Sequence, residues 1–120
     1  MSRPKRLRPR ILPTTVEAAV DRLVRWLTKR QRADIAQAEH LHRDTRIVDM
    51  RILGMAIRNE FGLWSEVSPL RDATGEKHPD DASGVILRAL HKRLRPDGRC
   101  VKTKFRKVGN AYMIAGEEEY

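Results

Sequence analysis

The sequence has little cysteine and few aromatic residues. A single cysteine in 120 residues, Cys100, excludes an internal disulfide framework and any cysteine-rich zinc site. Aromatic residues make up only 5%, so the core must be built from Leu, Ile, Val and Ala. No stretch of apolar residues is long enough to span a bilayer, which predicts no membrane partner. The first residues are basic but no apolar stretch follows them, so a secretory signal is not expected and the cytoplasm is the default compartment. Glycine-rich phosphate loops, nucleophile elbows and HExxH are all missing. The histidines at 40, 42, 78 and 91 share no metal-ligand spacing, and the adjacent pair Asp80–Asp81 reads as a helix start rather than acid–base machinery. The expectation is a non-enzymatic protein with no catalytic residue, no cofactor and no metal.

What is present is positive charge, 25 Lys and Arg against 16 Asp and Glu, for a formal net charge of +9. It is unevenly placed. Residues 1–13 carry Arg3, Lys5, Arg6, Arg8 and Arg10 with three prolines and no acid. Such a segment neither packs nor forms a helix, and it reads as a flexible basic arm. Residues 99–116 carry Arg99, Lys102, Lys104, Arg106 and Lys107, again with no acid, and Glu117, Glu118 and Glu119 follow as an acidic tail at 117–120. Between them, residues 14–98 are close to neutral. This is a near-neutral domain with a basic segment at each end.

The periodicities within 14–98 predict a small bundle of three to four helices. Thr14 or Thr15 opens the first, and Thr14 with Glu17 has capping-box spacing. Val16, Ala19, Val20, Leu23 and Leu27 give it an apolar stripe over roughly four turns. A weaker helix is expected around 32–42, where His40 and His42 read as surface residues. Ile47, Met50, Leu53, Gly54, Ile57 and Phe61 form the stripe of a helix over 45–61, ended by Gly62. Gly54 implies that another helix crosses closely there. Residues 62–79 read as a long loop anchored by Leu63, Trp64, Val67 and Leu70. A last helix over 80–95 buries Val85 or Ile86, Ala89, Leu90 and Leu94, and places Arg88, His91, Lys92 and Arg95 on its other side. From Val101 the period changes to two. Val101, Thr103 and Phe105 alternate with Lys102, Lys104 and Arg106, and Gly109-Asn110 is a two-residue hairpin signal. The fold class is therefore mainly α, followed by a C-terminal basic β-hairpin at 99–116 packed on the helices, the element order of the later part of a winged helix.

Residues 53–64, LGMAIRNEFGLW, and 78–87, HPDDASGVIL, together resemble an uncharacterised bacterial family, a domain of unknown function. The resemblance covers roughly residues 13–95 and implies a small helical domain without implying an activity. Within those blocks Arg58, Asn59, Trp64, His78, Asp80, Asp81 and Ser83 form either a recognition corner or a structural clasp. The clasp is favoured, with Arg58 pairing to Asp80 or Asp81 across the long loop.

The expected function is nucleic-acid binding. Arg3, Lys5, Arg6, Arg8 and Arg10 would follow the phosphate backbone or a minor groove. Arg88, Lys92 and Arg95 would face a groove from a recognition helix, and Lys102, Lys104, Arg106 and Lys107 would meet phosphate from a wing. DNA and RNA both remain open as partners. Phe105 and Tyr112 alone supply little base stacking. The alternative is a small adaptor or inhibitor, of the kind a mobile element encodes, whose basic ends meet an acidic or nucleic-acid-binding protein.

Overall fold

The structure is a computed structural model and describes residues 11–120; the arm cations at 3–10 lie outside the described residues. It is mainly helical with a C-terminal two-stranded hairpin. The helices are α1 (Val16–Trp26), α2 (Lys29–Gln37), α3 (Leu41–Asp44), α4 (Met50–Glu60), α5 (Pro69–Thr74) and α6 (Pro79–Leu94). The strands are β1 (Val101–Val108) and β2 (Ala111–Glu119).

Capping decides where the first helices begin and end. Thr15, not Thr14, caps α1, its hydroxyl accepting from the Ala18 amide at 3.1 Å. The helix stops after three turns rather than four because Thr28 starts a new one. Its Oγ1 accepts from Gln31 N while Gln31 returns its side-chain oxygen to Thr28 N, a complete capping box. The weak helix expected at 32–42 is therefore α2 plus the single turn α3. The segment read as a loop over 62–79 contains α5. Its signals were Ser68 at the cap, Pro69 at the first turn and Gly75 (φ 79°) just beyond the end.

Helix α6 is the centre of the domain and packs against α1, α2, α4 and α5. Its Ile86 and Leu90 are fully enclosed together with Leu23, Ile35, Ile57, Phe61, Leu63 and Leu70. The close crossing inferred at Gly54 is present: a Cβ there would lie 3.6 Å from Leu87 Cδ1. Two expected anchors do not bury. Trp64 and Val67 are 58% and 79% exposed, and Leu63 and Leu70 alone of the four anchors are buried.

Polar side chains hold the connections. Asp34 is buried at the end of α2, and its carboxylate accepts from the amides of Arg46, Ile47 and Val48 at 2.8–2.9 Å. Burial pushes this carboxyl up, but the three N–H donors outweigh it and hold its pKa below the usual range. Arg71 clamps the segment after α4, donating to the backbone oxygens of Leu63, Ser65 and Glu66.

The hairpin turns at Gly109-Asn110 as its sequence implies, with Gly109 at φ 63°. Two features differ from expectation. First, β2 runs to Glu119, so the acidic residues are strand rather than tail. Thr103 pairs with Glu117, Lys102 with Glu118 and Val101 with Glu119, and a bulge at Lys104/Phe105 absorbs one extra residue on β2. The opposed charges explain why pairing continues, with Lys102 Nζ 3.2 Å from Glu118 and Arg99 Nε 3.4 Å from Glu119. Second, the hairpin packs on the helices only at its base. Cys100 and Val101 are buried, whereas Phe105, Tyr112 and Ile114 are 62–71% exposed.

Candidate nucleic-acid interface

Contacts of His91 and Lys92 attach the hairpin base to α6, and they shape the site beside it. His91, expected on the outer side of α6, is fully buried: α6 turns this position inward, towards the end of α2 and the start of the hairpin. Its Nε2 lies 2.6 Å from the Ala38 backbone oxygen and its Nδ1 lies 2.9 Å from Cys100 Sγ. The carbonyl can only accept, so Nε2 carries the proton and Nδ1 receives the thiol S–H. Burial lowers the His91 pKa and raises that of Cys100, the latter against the pull of Arg88, Lys92 and Arg95. The pair is therefore neutral and structural, not an activated thiolate. Tyr120 N donates to Cys100 O at 2.9 Å, and Lys92 Nζ donates to Tyr120 O at 2.7 Å.

A pH prediction follows from His91. Its folded pKa lies below the ordinary imidazole value of about 6.5, so the unfolded chain binds the proton more readily. The stability from its neutral form is complete above that value and is lost as pH falls below it. The thermal midpoint should drop between pH 7.5 and about 5, above the carboxylate range near 4. A variant carrying His91→Gln should show a flatter profile over that window. An equally steep profile would remove His91 as the cause.

Between α3, α6 and β1 lies an open groove of about 410 Å³. It is lined by His42, Arg43, Arg88 and Lys102, with Phe105 and Tyr120 as its rings. The Arg88 guanidinium stacks 4.4 Å from the Tyr120 ring centroid and Lys102 Nζ lies 5.3 Å from it. Charges from α6 and from the hairpin thus converge on one tyrosine. This is the juxtaposition the sequence could only pose as a question. Tyr120 was missed because the acidic run before it hid its place beside Cys100. Arg43 was missed because α3 was not recognised as a separate turn.

The other expected contacts divide. Lys92 reaches the groove edge through Tyr120. Arg95 does not face outward: its side chain is only 16% exposed, paired to Asp97 at 2.9 Å and donating to Ala38 O. With the Ala82, Ser83, Ile86, Leu87, Leu90 and His91 side of α6 buried, this helix is a core element bearing one exposed flank. Alternation along β1, with the paired residues of β2, puts Lys102, Lys104 and Arg106 on one hairpin face. Lys107 shares the other with Phe105, Tyr112 and Ile114.

The motif blocks make a clasp. Arg58 Nη1 donates to Ser83 Oγ at 3.1 Å, and Ser83 Oγ donates to Asp80 O at 2.8 Å. Arg58 Nε sits 3.1 Å from Asp80 Oδ1, an ion-pair contact whose N–H direction makes no hydrogen bond. His78 caps α6, its Nδ1 accepting from Asp80 N, and its ring stands edge-on to Trp64 at 6.2 Å. Asn59 and Asp81 are exposed and stand apart from these contacts.

Among the described residues no helix is long and apolar enough to cross a membrane. A family model described as a domain of unknown function, DUF6794, matches residues 12–94. No curated protein and no solved structure matches the chain.

Proposed function

The chain belongs to the DUF6794 family, whose matched segment ends with the last residue of α6, and from that premise we propose that the family domain is a scaffold for a nucleic-acid-binding surface that it shares with the hairpin beyond it. The two blocks at 53–64 and 78–87 would be the signature of a bacterial family, because they carry the Arg58–Ser83–Asp80 clasp joining α4 to α6. The hairpin, and the arm at 1–13 as the sequence reads it, then supply the contacts in the cytoplasm. One observation carries the reading: the groove beside β1, in which cations of α3, α6 and β1 surround two aromatic rings. That combination suits a single strand, with phosphates along the cations and bases on Phe105 and Tyr120. It also answers the shortage of stacking residues in the sequence, since Tyr120 joins Phe105 there.

The test is a salt titration of binding to single-stranded DNA, RNA and duplex. Log K should fall linearly with log[salt] for the single strands, and Tyr120→Ala should weaken them more than duplex. Absence of binding to any of the three at about 50 mM salt overturns the reading. The adaptor reading has one observation in its favour. Phe105, Tyr112 and Ile114 form an apolar hairpin face of the kind proteins use on one another.

A further inference from the structure

The loop between α2 and α3 meets the end of β2 at a cluster that shares only His40 with the groove. His40 is buried, and its Nε2 lies 2.5 Å from Glu117 Oε2 and 3.8 Å from Glu39 Oε1. One ligand atom from each of the three residues falls within 4.8 Å of the others. We propose that Glu39, His40 and Glu117 form a binding site for a divalent metal of the zinc class, which fastens β2 to the helical body.

The donor set suits such an ion. One imidazole nitrogen and two carboxylate oxygens are borderline-to-hard ligands, and bonds of about 2.0–2.2 Å place tetrahedral ligands roughly 3.3–3.5 Å apart. Glu39 lies 3.8 Å from His40 Nε2, close to that separation, and Glu117, hydrogen-bonded to the same nitrogen at 2.5 Å, would draw back by about 1 Å as an ion enters. His40 is held in place, its own amide donating to Asp44 Oδ2 at 2.9 Å. Glu39 and Glu117 are 63% and 48% exposed, free to adjust around an ion and to leave a position for water.

The charge balance points the same way. Arg95 and Arg99 line the adjoining cavity with Glu39 and Glu117, but each already has its acid, Asp97 at 2.9 Å and Glu119 at 3.4 Å. The Glu39 and Glu117 carboxylates face the His40 imidazole, Glu117 hydrogen-bonded to it and Glu39 also within the field of Arg95. A divalent cation neutralises both. It also ties positions 39–40 to position 117, far apart in sequence, which would damp motion of the hairpin about its base. The sequence could not show this set, because the third ligand comes from the return strand. The inference is independent of nucleic-acid binding.

Isothermal titration of the full chain with Zn²⁺ at neutral pH tests it. One equivalent should bind, and amide exchange should slow around 115–120. Glu39→Gln and Glu117→Gln, both at exposed positions, should each weaken binding about tenfold or more, with circular dichroism unchanged. His42→Asn, next to the cluster but outside it, should bind as the natural chain does. No binding, or binding undiminished in both glutamine variants, overturns the site. Tighter binding of Mg²⁺ than of Zn²⁺ overturns its assignment to the zinc class.

Discussion

Replacing Asp34 with alanine is expected to remove roughly 3–5 kcal/mol of stability. Its carboxylate is the shared acceptor of the Arg46, Ile47 and Val48 amides. These three donors set the path of the chain from α3 into α4. With the carboxylate gone, donors in a part-buried site lose an ionised acceptor, and nothing else in that loop replaces it. Asp34→Asn keeps one oxygen and should fall in between. Urea unfolding at neutral pH measures both. A loss under about 1 kcal/mol for Asp34→Ala would mean that the loop finds other partners, water included. The depressed pKa makes this contribution depend on pH. Stability from this carboxylate is present above its ordinary range and is lost as pH falls through the folded value. Asp34 and His91 therefore act in different pH windows, the histidine first as the solution is acidified.

What the sequence made legible was local. The hairpin was readable because alternation and Gly109-Asn110 are contained within ten residues. The crossing at Gly54 was readable because a glycine in a helical apolar stripe has few other uses, and the Arg58–Asp80 pair because opposite charges flank one connection. What was misread or left unread has a different cause. Asp34 acts on backbone amides, which carry no residue identity and leave no trace in a sequence. His91 was placed outside because a helix stripe read from Leu and Ile alone misses a polar residue that brings its own partners. Those partners, Ala38 O and Cys100, lie on other segments. The acidic run at 117–119 looked like a solvated tail. Its role as a strand depends on Lys102 and Arg99 across the hairpin.

That last correction changes which cations are available to a nucleic acid. Arg99 and Lys102 are already opposed by Glu119 and Glu118, whereas Lys104, Arg106 and Lys107 lie beyond the acidic end of β2, opposite Gly116, Met113 and Tyr112. Exposed pairs of this kind add little to stability, but they reduce the local field. The phosphate contacts should therefore concentrate towards the hairpin tip. Reversing Lys104, Arg106 and Lys107 to glutamate is expected to weaken single-strand binding about 10²–10³-fold near 0.1 M salt, and to flatten the log–log slope by nearly three units at about 0.9 per contact if duplex is bound, somewhat less for a single strand. All three side chains are exposed and the helical core does not include them, so the thermal midpoint should hardly move. Anisotropy titrations at several salt concentrations read both quantities. A loss of affinity with the slope unchanged would place the energy in Phe105, Tyr112 and Ile114 and favour a protein partner. Unchanged affinity would take the hairpin tip out of the interface and leave the groove at Arg88 and Tyr120 as the contact.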